Sequence, residues 1–83
     1  MKVQIKYFAS IREAIGHGGE ECETGATTLA QLRLELVARG GAYAEALAPG
    51  RALRMALNQV MADEASPLAE GSEVAFFPPV TGG

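Results

Sequence analysis

Val74-Ala75-Phe76-Phe77-Pro78-Pro79-Val80-Thr81-Gly82-Gly83 is the stretch whose reading decides the fold. Val74 to Phe77 is an unbroken apolar run, which suits a strand buried on both faces at the centre of a sheet. Pro78 and Pro79 end it: neither has an N–H for a ladder, and Pro78 keeps Phe77 extended. The chain therefore leaves the sheet at Pro78. Fully extended, residues 78–83 reach roughly 20 Å. Gly82 and Gly83 carry no Cβ, so a receiving pocket need fit only backbone and the α-carboxylate of Gly83. Such a carboxylate is a chemical handle. An ATP-using partner can adenylate it, and sulfur or an amine can then attack the acyl-adenylate. The plain alternative is a frayed terminus; the strand and the double proline before it favour a working tail.

Upstream of this strand the pattern predicts a small mixed α+β domain. Lys2 to Phe8 alternates, with Val3, Ile5 and Tyr7 on one face and Gln4, Lys6 and Phe8 on the other. Ser10 and Glu13 fit a capping box for a helix of one or two turns, stopped at Gly16. Residues 20–24 are charged enough to predict an edge strand. Thr28 and Gln31 fit a second capping box, opening the longest helix. Leu29, Leu32, Leu36 and Val37 form its apolar stripe, with Arg33, Glu35 and Arg39 off it. Residues 43–47 predict a short helical turn, and Leu53, Met55 and Leu57 a third strand. Asn58-Gln59 predicts a turn into a short strand at Val60-Met61. Residues 66–71 resemble a tight helical turn ended by glycine. A final strand parallel to the first then gives a β-grasp, ubiquitin-like sheet with one main helix across one face. Residues 1–77 are the domain and residues 78–83 a flexible C-terminal tail.

Composition narrows the function. Eighty-three residues with 48% hydrophobic content make one small domain with one core. A net charge of −3, from 7 basic and 10 acidic residues, argues against nucleic-acid binding. Cys22 is the single cysteine, among Glu20, Glu21 and Glu23. Acidic neighbours push a thiol away from reactivity, so Cys22 reads as structural. His17, the single histidine, reads as a solvated loop residue rather than a ligand or a base, since no partner histidine exists. No Ser/His/Asp set, phosphate loop, calcium loop or metal cluster can be assembled. No span of about 20 apolar residues and no leader pattern is present, which predicts a cytoplasmic protein. A body without catalytic parts that presents an activatable tail is expected to be a carrier or a subunit.

The run from Gly71 through Glu73-Val74-Ala75-Phe76-Phe77-Pro78-Pro79-Val80-Thr81 to Gly83 resembles the MoaD-type small subunit of molybdopterin synthase, a ubiquitin-like sulfur-carrier family. Tyr7-Phe8-Ala9 followed by Ile11-Arg12-Glu13 matches that family's first strand and helix start. Leu57-Asn58-Gln59 and Pro67-Leu68 with Gly71 match its second half. Ser72 departs from an Asp frequent in relatives, at a turn. The resemblance implies a carrier that is not an enzyme on its own, but the non-catalytic subunit of a sulfurtransferase complex. A MoeB-type adenylating enzyme would activate Gly83 with ATP, and a sulfur donor protein would convert it to a thiocarboxylate. Gly82, Thr81, Val80, Pro79 and Pro78 would thread into a MoaE-type large subunit. There sulfur would pass to cyclic pyranopterin monophosphate in molybdenum cofactor biosynthesis. Two carriers and two large subunits would form the assembly, a heterotetramer. No bound cofactor and no metal are expected. Carriers for thiamin or tRNA thiolation, a protein modifier joined through Gly83, and a plain binding module remain alternatives.

One helix covers one face of a sheet. With Val3, Ile5, Val74 and Phe76 toward the helix, alternation sends Phe8 and Phe77 to the other face, with Met61 at its margin. These three residues are the expected partner-binding patch.

Overall fold

The computed structural model describes residues 1–79. Its elements are β1 (Lys2–Tyr7), α1 (Ala9–Ile15), β2 (Gly19–Glu23), α2 (Leu29–Val37), α3 (Gly41–Ala46), β3 (Arg54–Leu57), β4 (Val60–Ala62) and β5 (Glu73–Phe77). The strands form one sheet in the order β2-β1-β5-β3-β4. β5 is central, parallel to β1 with Ile5 beside Val74 and Tyr7 beside Phe76, and antiparallel to β3. The acidic β2 is an edge, antiparallel to β1. This is the β-grasp arrangement that the apolar run of β5 predicts.

The core lies on one face. Val3, Ile5, Tyr7, Val74 and Phe76 of the sheet are buried against Leu29, Leu32 and Leu36 of α2 and Ile11 of α1. α2 is longer and more apolar on that face than α1 or α3, so it supplies most of the cover. Among the described residues no helix is long and apolar enough to cross a membrane.

Three local expectations are corrected. The first helix does not start on a Ser10 cap. The parallel pairing reaches Phe8, the last residue of the expected strand, whose N–H donates to Phe76 O at 3.1 Å. The chain then turns through Ala9, at φ 51°, directly into α1. Phe8 is the N-cap through its carbonyl alone, which accepts from Ile11 and Arg12 N–H.

Residues 66–71 do not coil. Their neighbourhood is taken up with satisfying the first turn of α2. Leu29 N–H donates to Ser66 O and Ala30 N–H to Glu64 O, while Thr28 Oγ1 accepts from Gln31 N–H. A helix leaves those donors without internal partners, and here a crossing strand of chain supplies two acceptors. Pro67 forms a single bridge with Thr28, and Leu68 enters the core. Gly71, at φ 80°, still supplies the left-handed turn into β5.

Arg33 does not lie off the buried face of α2. It is 4% exposed. The segment after α3 folds over that side of the helix, so the buried stripe is wider than its leucines suggest.

Candidate functional site

The sheet face opposite the helices carries the residues singled out for docking. Register fixes its rows. Lys6, Ala75, Ala56 and Met61 lie in one line across β1, β5, β3 and β4. In the next row Phe77 sits beside Arg54. The Phe8 N–H bond to Phe76 O carries the parallel pairing forward, so Phe8 follows in line beside Phe77. Phe8 is 46% exposed and Met61 57% exposed, while Phe77 is half-buried.

The two ends of this face differ. Toward the start of β5, Lys6 Nζ pairs with Glu73 at 3.5 Å and Lys2 Nζ with Glu21 at 3.7 Å. Toward its end the rows read Phe8, Phe77 and Arg54, then Ala75, Ala56 and Met61. Adjacent strands are about 4.8 Å apart, so Met61 stands roughly 10 Å from β5, across the small side chain of Ala56. The small side chains of Ala75 and Ala56 thus separate Phe8 and Phe77 from Met61, with Lys6 and Arg54 in the same rows. Ala56, Ala75 and Arg54 were not among the residues read from the sequence. Their alternation with Met55 and Leu57 signals a shared face, but only the β3–β5 register shows which face and beside whom.

Pro78 and Pro79 follow Phe77 directly and are half-buried. Val80, Thr81, Gly82 and Gly83, the remainder of the expected reactive tail, lie outside the described residues.

The other polar cluster is a scaffold on the helix side. Glu20 Oε2 accepts from Tyr43 OH at 2.7 Å and Tyr7 OH at 3.0 Å, and Glu20 Oε1 accepts from Arg39 Nη1 at 2.7 Å. Burial alone would raise the Glu20 carboxyl, but the bonds from Arg39, Tyr43 and Tyr7 outweigh it and hold the group below its ordinary range. Burial, then the Glu20 charge, drives Tyr7 far above the ordinary tyrosine range, so it remains a donor. His17 lies exposed in the loop after α1, as expected, and its ring also joins this cluster. Nδ1 donates to Gly19 O at 3.1 Å, Nε2 lies 3.0 Å from Tyr43 OH, and the ring packs edge-on against Tyr7. The Gly16 turn that ends α1 brings it back over the sheet.

Cys22 points into the core beside Val3. Burial pushes its thiol up, with Arg39 opposing and Glu35 and Glu20 adding. Burial leads, and of the acidic neighbours expected to act Glu20 contributes, so the thiol is a poor nucleophile. No group of three His, Cys, Asp or Glu side chains could hold a metal ion among the described residues.

Comparison with known proteins agrees with this architecture. The model of the ThiS family matches residues 5–83. The molybdopterin synthase sulfur carrier subunit of Escherichia coli strain K12 is 40% identical over 81 residues, covering 98% of this chain and 99% of that protein. A Pyrococcus furiosus protein described as molybdopterin converting factor subunit 1 superposes with a TM-score of 0.79 at 28% identity, over 96% of this chain and 99% of that one. A Helicobacter pylori complex of subunits 1 and 2 of molybdopterin-converting factor gives a TM-score of 0.69 at 27% identity, over the whole of both chains. A match spanning nearly every residue, on a β-grasp sheet whose central strand runs into the double proline, leads to one assignment: the chain belongs to the ThiS family, as a relative of the molybdopterin synthase sulfur carrier subunits.

Proposed function

We propose that this protein is the sulfur-carrier subunit of a molybdopterin synthase. The observation that carries the reading is the 40% identity, over almost the full length of both chains, to the Escherichia coli sulfur carrier subunit. The fold supports it: a β-grasp body with Phe8 and Phe77 side by side on the face where β5 runs into the last residues.

In this reading the Gly83 carboxylate attacks the α-phosphorus of ATP within a MoeB-type enzyme, releasing pyrophosphate. Hydrosulfide supplied by a donor protein then attacks the acyl carbon, forming the C–S bond as the C–O bond to AMP breaks, which leaves a C-terminal thiocarboxylate. The apolar face, with Phe8, Phe77 and Met61, docks on a MoaE-type large subunit. Residues 78–83 present the thiocarboxylate sulfur to cyclic pyranopterin monophosphate; once sulfur is bonded to the pterin, water cleaves the acyl–sulfur bond and the carrier returns as a carboxylate. The protein holds the acyl group and aims it; the partners supply the catalytic groups and the ATP. The complex follows the pairing of subunits 1 and 2 in the Helicobacter pylori protein.

The test is reconstitution. Carrier loaded with sulfur, mixed with the large subunit and cyclic pyranopterin monophosphate, should yield molybdopterin. Isopeptide linkage to lysines with no turnover of the pterin would instead establish a protein modifier.

A further inference from the structure

Arg33 places a guanidinium in the interior, 4% exposed. Its Nε donates to Leu47 O at 2.7 Å, its Nη2 to the carbonyls of Ala48 and Arg51, and its Nη1 to Glu64 Oε1 at 2.7 Å. Three of these four acceptors belong to one segment, residues 47–51, which leads into β3. An apolar side chain of similar volume is often as stabilising as a buried, fully paired charge. What the guanidinium adds is a planar fork that holds three carbonyls in fixed relative positions.

That segment flanks the tail root. In the β3–β5 pairing Arg54 faces Phe77 and Met55 faces Phe76. Arg54 and Phe77 are the last pair, so residues 51–53 enter β3 at the same end of the sheet from which Pro78 and Pro79 leave β5. A proline has no N–H, so neither Pro78 nor Pro79 can donate a ladder bond to residues 51–53. The segment is held from its other side by Arg33, through the Leu47, Ala48 and Arg51 carbonyls, and braced internally by Arg51 N–H on Ala48 O at 2.8 Å.

We propose that Arg33 is a positioning residue for sulfur transfer. It fixes residues 51–53 as a rigid wall beside Pro78 and Pro79, and so sets the orientation of the tail root on which the acyl group is delivered. The proposal rests on the sulfur-carrier reading above. A misaimed root loses near-attack geometry in the large subunit while the docking face is unchanged.

The experiment uses the full chain, loaded as thiocarboxylate, in single-turnover transfer with saturating large subunit. For Arg33→Gln, the rate constant should fall about tenfold while affinity for the large subunit stays within about twofold. Arg33→Lys, which keeps the charge but loses the fork, should fall between. A purely stabilising arginine would lower the amplitude, in proportion to the folded fraction, and leave the rate constant unchanged. Amide exchange at Arg51 should quicken about tenfold in Arg33→Gln, with Val3 and Ile5 unaltered. If Arg33→Gln does not fold, Ala52→Gly, an exposed change in the same segment, should reduce the rate constant about threefold. A folded Arg33→Gln, or failing that Ala52→Gly, with the wild-type rate constant overturns the proposal. Wild-type protein that transfers no sulfur would refute the carrier reading instead. In that event unchanged exchange at Arg51 would separately refute the holding role of Arg33.

Discussion

Arg54 and Phe77 face each other across β3 and β5 as the last cross-strand pair before Pro78. Phe77 therefore lies on the open face of the sheet at the point where the ladder must stop. Phe76, its neighbour in sequence, is fully buried on the other face.

That one-residue difference separates docking from folding. Phe77→Ala should leave the monomer folded and weaken binding to the large subunit by about 2 kcal/mol, roughly thirty-fold in Kd. Phe8→Ala should act in the same direction. Isothermal titration with the large subunit checks both; a folded Phe77→Ala of unchanged affinity would remove that ring from the interface.

Phe76→Ala should instead cost about 3–5 kcal/mol of stability through the cavity it leaves. Denaturant unfolding of the isolated carrier is the measurement. A loss below about 1 kcal/mol would show that the centre of the core is packed differently.

Acid should unfold the protein partly through Glu20. Its folded carboxyl is held below the ordinary value of 4.5, so the unfolded chain binds the proton first. Stability from Glu20 is present above that ordinary value and is lost as pH falls through the lower folded one. Glu20→Gln should be less stable than wild type by about 1–2 kcal/mol at neutral pH. Its unfolding midpoint should also fall less steeply with acidification below pH 4.5. Parallel acid profiles for the two proteins would contradict the role given to this carboxylate.

The β3–β4 hairpin turns through Asn58 and Gln59, both at positive φ (51° and 67°). A two-residue turn of this kind favours glycine at its second position. Gln59→Gly should stabilise the domain by roughly 0.5–1 kcal/mol, since relief of left-handed strain exceeds the added chain entropy. A thermal melt should show Tm higher by a few degrees; a lower Tm would mean that Gln59 makes a contact worth more than the strain.

Much of this architecture is legible in the chain because β5 breaks the usual alternation. Four apolar residues followed by two prolines demand a central strand with an abrupt end, and both are found. The Thr28 cap and the leucines of α2 follow from local rules that tertiary structure did not override. The misses share a cause. Ser10 loses its capping role because Phe8 pairs with Phe76, a contact spanning most of the chain. Residues 66–68 do not coil because this part of the chain crosses the start of α2, where Glu64 and Ser66 accept from its first N–H groups. Arg33 is buried because residues 47–51 fold over it. Each depends on a partner distant in sequence, which periodicity cannot register. The same holds at the candidate site. Alternation puts Phe8 and Phe77 on one face, whereas Ala56, Ala75 and Arg54 join them only through strand register.

The central claim is that Gly83 carries the sulfur. The most direct measurement is the intact mass of the carrier after incubation with ATP, the adenylating enzyme and a sulfur donor. The account predicts one oxygen replaced by sulfur at the C-terminus of the full chain, and no such change in a folded chain lacking Gly83. Sulfur loading that survives removal of Gly83 would contradict it.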